Sequence, residues 1–95
     1  MSELERKLER HFHDRVKAAG GIAIKVAPTL KGLPDRAVLF KGNVFFCELK
    51  TDTGERSEIQ KHMHKRFAKH GMDVATLYGK DQIDEWLDAI FNERK

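Results

Sequence analysis

A single cysteine, Cys47, leaves no internal disulfide to form, so the chain is not a disulfide scaffold and a reducing compartment suits it. No apolar run approaches the length of a membrane span, and the first residues carry no secretory apolar segment, which predicts a soluble cytoplasmic protein with no membrane partner. The two prolines, Pro28 and Pro34, both fall in one loop region. There is no internal repeat, no low-complexity stretch and no large excess of one charge. Eighteen Lys and Arg against 15 Asp and Glu give +3, a balance common among ordinary proteins, so the placement of charge matters more than its sum. What is present is 95 residues, enough for one hydrophobic core and one domain over 1–95.

The chain is organised around residues 32–50. Two apolar runs, Ala37-Val38-Leu39-Phe40 and Val44-Phe45-Phe46-Cys47, flank Lys41-Gly42-Asn43, and Gly-Asn can supply the positive φ of a tight turn. With Gly42 and Asn43 as turn residues, Ala37 faces Glu48 and Asp35 faces Lys50, so Asp35, Glu48 and Lys50 share one patch of the sheet. A carboxylate pair at that separation suits one hard divalent cation such as magnesium, with a lysine beside it to hold water or neutralise charge on a phosphate. Exposed Glu-x-Lys pairs are common and contribute little to stability. Glu48 and Lys50, however, follow an unbroken apolar run of the kind that marks a strand covered on both faces, so charges at its end need a reason. Cys47 points away from the acidic face and reads as a small core residue.

Before this hairpin, Leu4, Leu8, Phe12 and Val16 repeat at four-residue spacing and predict an amphipathic helix over 2–19, ended by Gly20-Gly21. Glu5 and Glu9 lie along the edge of its buried stripe. Ile22 to Val26 predicts a strand interrupted by Lys25, which stands either at a strand edge or near the acidic face. The loop 27–33 then carries Lys31, and Arg36 follows Asp35; loops held by a rigid hairpin are frequent places for substrate contacts.

After the hairpin, Ser57-x-x-Gln60 matches a capping box opening a second helix. Ile59, Met63 and Phe67 form its apolar stripe, opposite a basic one of Lys61, Lys65 and Lys69 that could follow a phosphate backbone or simply be solvated. His11 with His13 and His62 with His64 are spaced by two, which separates them on a helix, so all four read as surface or groove residues rather than ligands of one metal. Residues 73–78 predict a strand parallel to the Glu48 strand through a right-handed crossover. Residues 82–92 predict a last helix whose broad apolar face, with Ile83, Trp86, Leu87, Ile90 and Phe91, packs in the core and in part serves as a dimer surface.

Pro34-Asp35, the hairpin and Glu48-Leu49-Lys50 resemble the PD-(D/E)xK nuclease motif. Gly32-Leu33-Pro34-Asp35-Arg36, Glu48-Leu49-Lys50-Thr51 and Ser57-x-x-Gln60 together resemble the VRR-NUC family, the virus-type replication and repair nucleases, from Glu5 to about Leu87. The resemblance implies an α/β, restriction-endonuclease-like αβββαβα core, a four-stranded mixed sheet flanked by helices. It implies a Mg2+- or Mn2+-dependent endodeoxyribonuclease without organic cofactor. Asp35, Glu48 and the backbone carbonyl of Leu49 would hold the metal, supported by Glu5 with Glu9 in reserve; Lys50 would position and help deprotonate water, and Gln60 would sit beside the catalytic pair. Lys25, Lys31, Arg36, Lys61, Lys65 and Lys69 are the expected DNA contacts. Standalone members are similar to dimeric Holliday junction resolvases, so the expectation is a homodimer acting on branched DNA in a bacterial or phage-infected cell. A flap, single-strand or duplex nuclease with the same site is the alternative. A non-catalytic DNA-binding protein on this fold would be expected to have lost Asp35, Glu48 or Lys50.

Overall fold

The computed structural model describes residues 2–51 and 54–93. Its elements run α1 (Glu3–Ala18), β1 (Ile22–Lys25), β2 (Arg36–Phe40), β3 (Asn43–Lys50), α2 (Glu58–Lys69), β4 (Val74–Tyr78) and α3 (Gly79–Glu93), in the expected αβββαβα order. The sheet order is β1-β2-β3-β4, antiparallel except for the parallel β3–β4 pair. None of the helices described is long and apolar enough to cross a membrane.

Neighbouring residues on a strand point to opposite faces, and β3 shows what each face meets. Phe45 packs edge-on against Trp86 of α3, whereas Phe46 packs edge-on against Phe67 of α2. Helices α1 and α3 therefore cover one face and α2 the other. On the α1–α3 face, Phe12, Val16, Val38, Cys47, Ile83 and Leu87 are all fully buried in one cluster. Burying a side chain of that size contributes about 1.5–3 kcal/mol, so this layer makes a large contribution to folding. His11 and Arg15 of α1 clasp Asp84 of α3 at 2.6 and 3.0 Å, and Arg15 also reaches Asp88 at 2.7 Å. His11 is thus a helix-to-helix clasp and not a groove residue.

Several expectations are corrected by the structure. Lys41 and Gly42, both at positive φ (46° and 82°), form the hairpin turn, and Phe40 pairs with Asn43. The Asn43 side chain closes the turn by donating to the Lys41 carbonyl. Continuing the observed register places Asp35 opposite Glu48 rather than Lys50. The shift is by two residues, so every side chain keeps its expected face. Leu4 is exposed because a four-residue step overshoots a helical turn by about 40°, and the stripe drifts off the core over three steps. Ile59 is likewise exposed. On α3, Ile83, Leu87 and Ile90 are buried in the core, while Trp86 and Phe91 are only partly covered.

Candidate active site

The loop before β2 is fixed at three points. A Cβ at Gly32 would lie 2.6 Å from the Ile59 carbonyl oxygen, and its φ of +83° is one that glycine adopts without cost, so loop and α2 approach backbone to backbone. Pro34 is fully buried. The Asp35 carbonyl accepts from the Val26 N–H at 3.0 Å and from Arg36 Nη1 at 2.9 Å. So held, Asp35 Oδ1 accepts from the Leu49 N–H at 3.2 Å across the strand pair. Burial raises the Asp35 pKa above the usual carboxylate range; Arg36 and the Leu49 N–H pull it back, Glu48 pushes it further up and Lys50 lowers it.

A cleft of about 50 Å³ gathers Glu5 and Glu9 from α1, Asp35 from the loop, and Leu49 and Lys50 from β3. Glu5, Asp35, Leu49 and Lys50, distant in sequence, thus border one cleft. Glu5 also accepts from the Ser2 N–H in a capping box, which lowers its pKa. Glu9 is bound to Arg36 Nη2 at 2.9 Å. Arg36 is 4 % exposed and engaged by both Glu9 and the Asp35 carbonyl, so it is withdrawn from any DNA backbone, contrary to expectation. Its role is to tie α1 to the aspartate loop.

Glu48 does not line this cleft. It is fully buried: Oε1 lies 3.0 Å from His64 Nε2, while Oε2 has no hydrogen-bond partner among the described residues. Leaving a buried carboxylate oxygen unsatisfied costs about 1–3 kcal/mol or more, and a bound cation would relieve that cost. Among the described residues no three His, Cys, Asp or Glu side chains close on one point. The residues that the resemblance assigns to a cation, Asp35, Glu48 and the Leu49 carbonyl, offer two carboxylates and one carbonyl, a donor set that would suit magnesium, which keeps several waters.

Gln60 fulfils the capping box, its Oε1 accepting from the Ser57 N–H at 2.9 Å, and it also lines a cleft of about 330 Å³ beside Asp35 and Lys31. Lys25 lines a separate hollow with Arg6, Arg10 and His13. Burial lowers the pKa of His13, assisted by Arg36, so this residue favours its neutral form. Lys61 and Lys65 border a third hollow on α2 with Arg56 and His62, and Lys69 is exposed farther along the helix.

His64 is the residue sequence reasoning missed. Expected at the surface, it is buried against Glu48 with Arg56 behind it. Its signal was positional: on α2 it stands one turn beyond Gln60, flanking the apolar stripe that packs on the strand carrying Glu48.

No family model and no curated protein matches the chain. A solved structure described as a "VRR_NUC domain" is similar to it at 27 % identity with a TM-score of 0.81, covering 92 % of this chain and 97 % of that one. Its agreement in fold over nearly the whole length of both chains supports the VRR-NUC resemblance that the Pro34-Asp35 and Glu48-Leu49-Lys50 motif carries.

Proposed function

We propose that the chain is a Mg2+- or Mn2+-dependent DNA endonuclease that nicks branched DNA, with four-way junctions its preferred substrate. The nuclease class is supported by the likeness to the VRR_NUC domain and by the restriction-endonuclease-like fold. Metal dependence is supported chiefly by the unsatisfied Glu48 Oε2 beside an Asp35 pinned to Leu49. A divalent cation bound there would supply Lewis-acid stabilisation and lower the pKa of coordinated water. Lys50 carries out the work of the chain's own cation: it orients the attacking water and donates to the phosphate oxygen as charge grows on it. Glu5 reaches the same cleft and would hold outer waters. Gln60, Lys31 and Lys25 bind substrate at its margins, while Lys61, Lys65 and Lys69 follow the phosphate backbone along α2.

A symmetric junction calls for two sites, and a homodimer is part of the proposal. The α2 face supplies a surface for it. Ile22 and Val44 are exposed on either side of Leu39 in one cross-strand row, and Ile24 is exposed in the next. Ile22→Lys with Ile24→Lys should lower the sedimentation coefficient to that of a monomer; an unchanged value contradicts this interface.

The substrate is tested with labelled four-way junctions, flaps and linear duplex, each with Mg2+, with Mn2+ and with chelator. Paired symmetric nicks in the junction support the proposal. Preferential cutting of flap or duplex keeps the nuclease and replaces its substrate.

A further inference from the structure

The hydrogen bonds that end on Glu48 begin outside the PD-(D/E)xK motif. His64 Nε2 lies 3.0 Å from Glu48 Oε1, in a pair whose side chains are 9 % and 1 % exposed. On the other side of the ring, Arg56 Nη1 lies 3.2 Å from His64 Nδ1. A guanidinium can only donate, so Nδ1 must accept, and the ring proton then resides on Nε2 and is donated to Glu48. Arg56 sets the tautomer and His64 delivers the donor.

This arrangement is one-sided. A contact serving stability alone would gain by satisfying both carboxylate oxygens, because a buried oxygen without a partner costs about as much as a good hydrogen bond contributes. Here Oε1 is occupied and Oε2 is left without a partner. We infer that His64 is a positioning residue of the cation site: it holds Glu48 by Oε1 so that Oε2 is the oxygen offered to the metal, with Arg56 fixing the ring that does so. The inference rests on the metal-dependent reading above and deepens it. It extends the functional unit from the strand motif to α2 and to the connection that leads into it.

The two amides that mimic single imidazole nitrogens separate this role from mere packing. His64→Gln carries its amide nitrogen near the position of Nε2 and keeps a donor for Glu48. His64→Asn carries it near Nδ1, out of reach. Both remove the ring and both remain polar, so a purely structural residue would suffer alike in the two variants, seen as similar losses in melting temperature. The full chain is titrated with MnCl2 without DNA, and free Mn2+ is read by electron paramagnetic resonance. His64→Asn should weaken Mn2+ binding by about 10- to 100-fold, the usual cost of losing a partner behind a metal ligand, and His64→Gln by less than about 3-fold. Nitrogen-15 spectra of the metal-free wild type should show His64 protonated on Nε2. Wild-type Mn2+ affinity in His64→Asn, equal losses in both variants, or a proton on Nδ1 each overturns the positioning role while leaving the metal site standing. A wild-type chain that takes up no Mn2+ removes the metal site and the role together.

Discussion

On the α1–α3 face of the sheet, Phe12, Val16, Val38, Cys47, Ile83 and Leu87 are sealed from solvent, Arg36 is buried against Glu9, and His11 and Arg15 form a part-buried clasp with Asp84 between two helices. On the α2 face, a fully buried glutamate stands on a histidine, and Ile22, Ile24, Val44 and Ile59 remain exposed. The first face seals its apolar groups inside and pairs its buried Arg36 with Glu9, although Arg36 Nε and His13 Nε2 lack partners among the described residues. The second keeps a charge inside with one oxygen unsatisfied and leaves apolar groups outside. A chain this small has little stability to spare, so the second arrangement persists where binding of metal, DNA or a second copy supplies the missing contacts.

The contrast is broken most severely from the core side. Phe12→Ala should cost about 3–5 kcal/mol in urea unfolding, a large share of the whole for a domain of this size. Phe67→Ala, on half-buried α2, should cost visibly less under the same conditions. Equal losses would mean that both faces contribute alike to folding.

Next in size is an opposite pair of effects at one residue. Burial raises the Asp35 pKa, so ionised Asp35 destabilises the metal-free fold: its contribution is favourable below the unfolded pKa and is lost as pH rises through the folded one. Asp35→Asn should therefore abolish cleavage yet raise the melting temperature of the metal-free protein at pH 7. The Asn oxygen still accepts from the Leu49 N–H. A melting temperature that falls instead would assign Asp35 a structural role.

The clasp on the other face titrates with the reverse sign. Partial burial favours neutral Asp84, but hydrogen bonds with His11, Arg15 and Lys80 outweigh it and hold the carboxyl down to about 2. Since the unfolded value is about 3.9, this stabilisation is complete above roughly pH 4 and disappears as pH falls toward 2. Asp84→Asn should flatten the acid limb of stability against pH in that window, measured by urea midpoints, and leave cleavage at neutral pH unchanged.

The smallest effect belongs to the hairpin. Lys41 occupies positive φ, which costs a residue with a side chain about 1 kcal/mol, so Lys41→Asn, giving Asn-Gly in the turn, should stabilise by about 0.5–1 kcal/mol. No gain would mean that the turn is not limited by the conformation of Lys41.

Much of this was legible in the sequence because it rests on local periodicity. The apolar hairpin, the capping box at Ser57 and the three helices follow from spacing and cap chemistry. The register slipped because Gly42-Asn43 and Lys41-Gly42 both offer a turn, and choosing between them depends on cross-strand pairing that composition does not carry. Asp35, Glu48 and Lys50 keep the shared face expected of them because a two-residue slip preserves the faces. Arg36 and His64 were misread for a common reason. Each looks like an exposed polar residue in sequence and is buried by a partner from a distant element, Glu9 in one case and Glu48 in the other. Long-range pairing of charges leaves no periodic trace.

The most direct test of the account is cleavage of a labelled DNA junction by wild type, Asp35→Asn, Glu48→Gln and Lys50→Ala, each with Mg2+ and with chelator, beside a measurement of DNA binding. Wild type should cut only with the metal, each variant should lose cutting by at least about 100-fold, and all should retain binding. Undiminished cutting by Glu48→Gln or Lys50→Ala, or cutting by wild type in chelator, would contradict it.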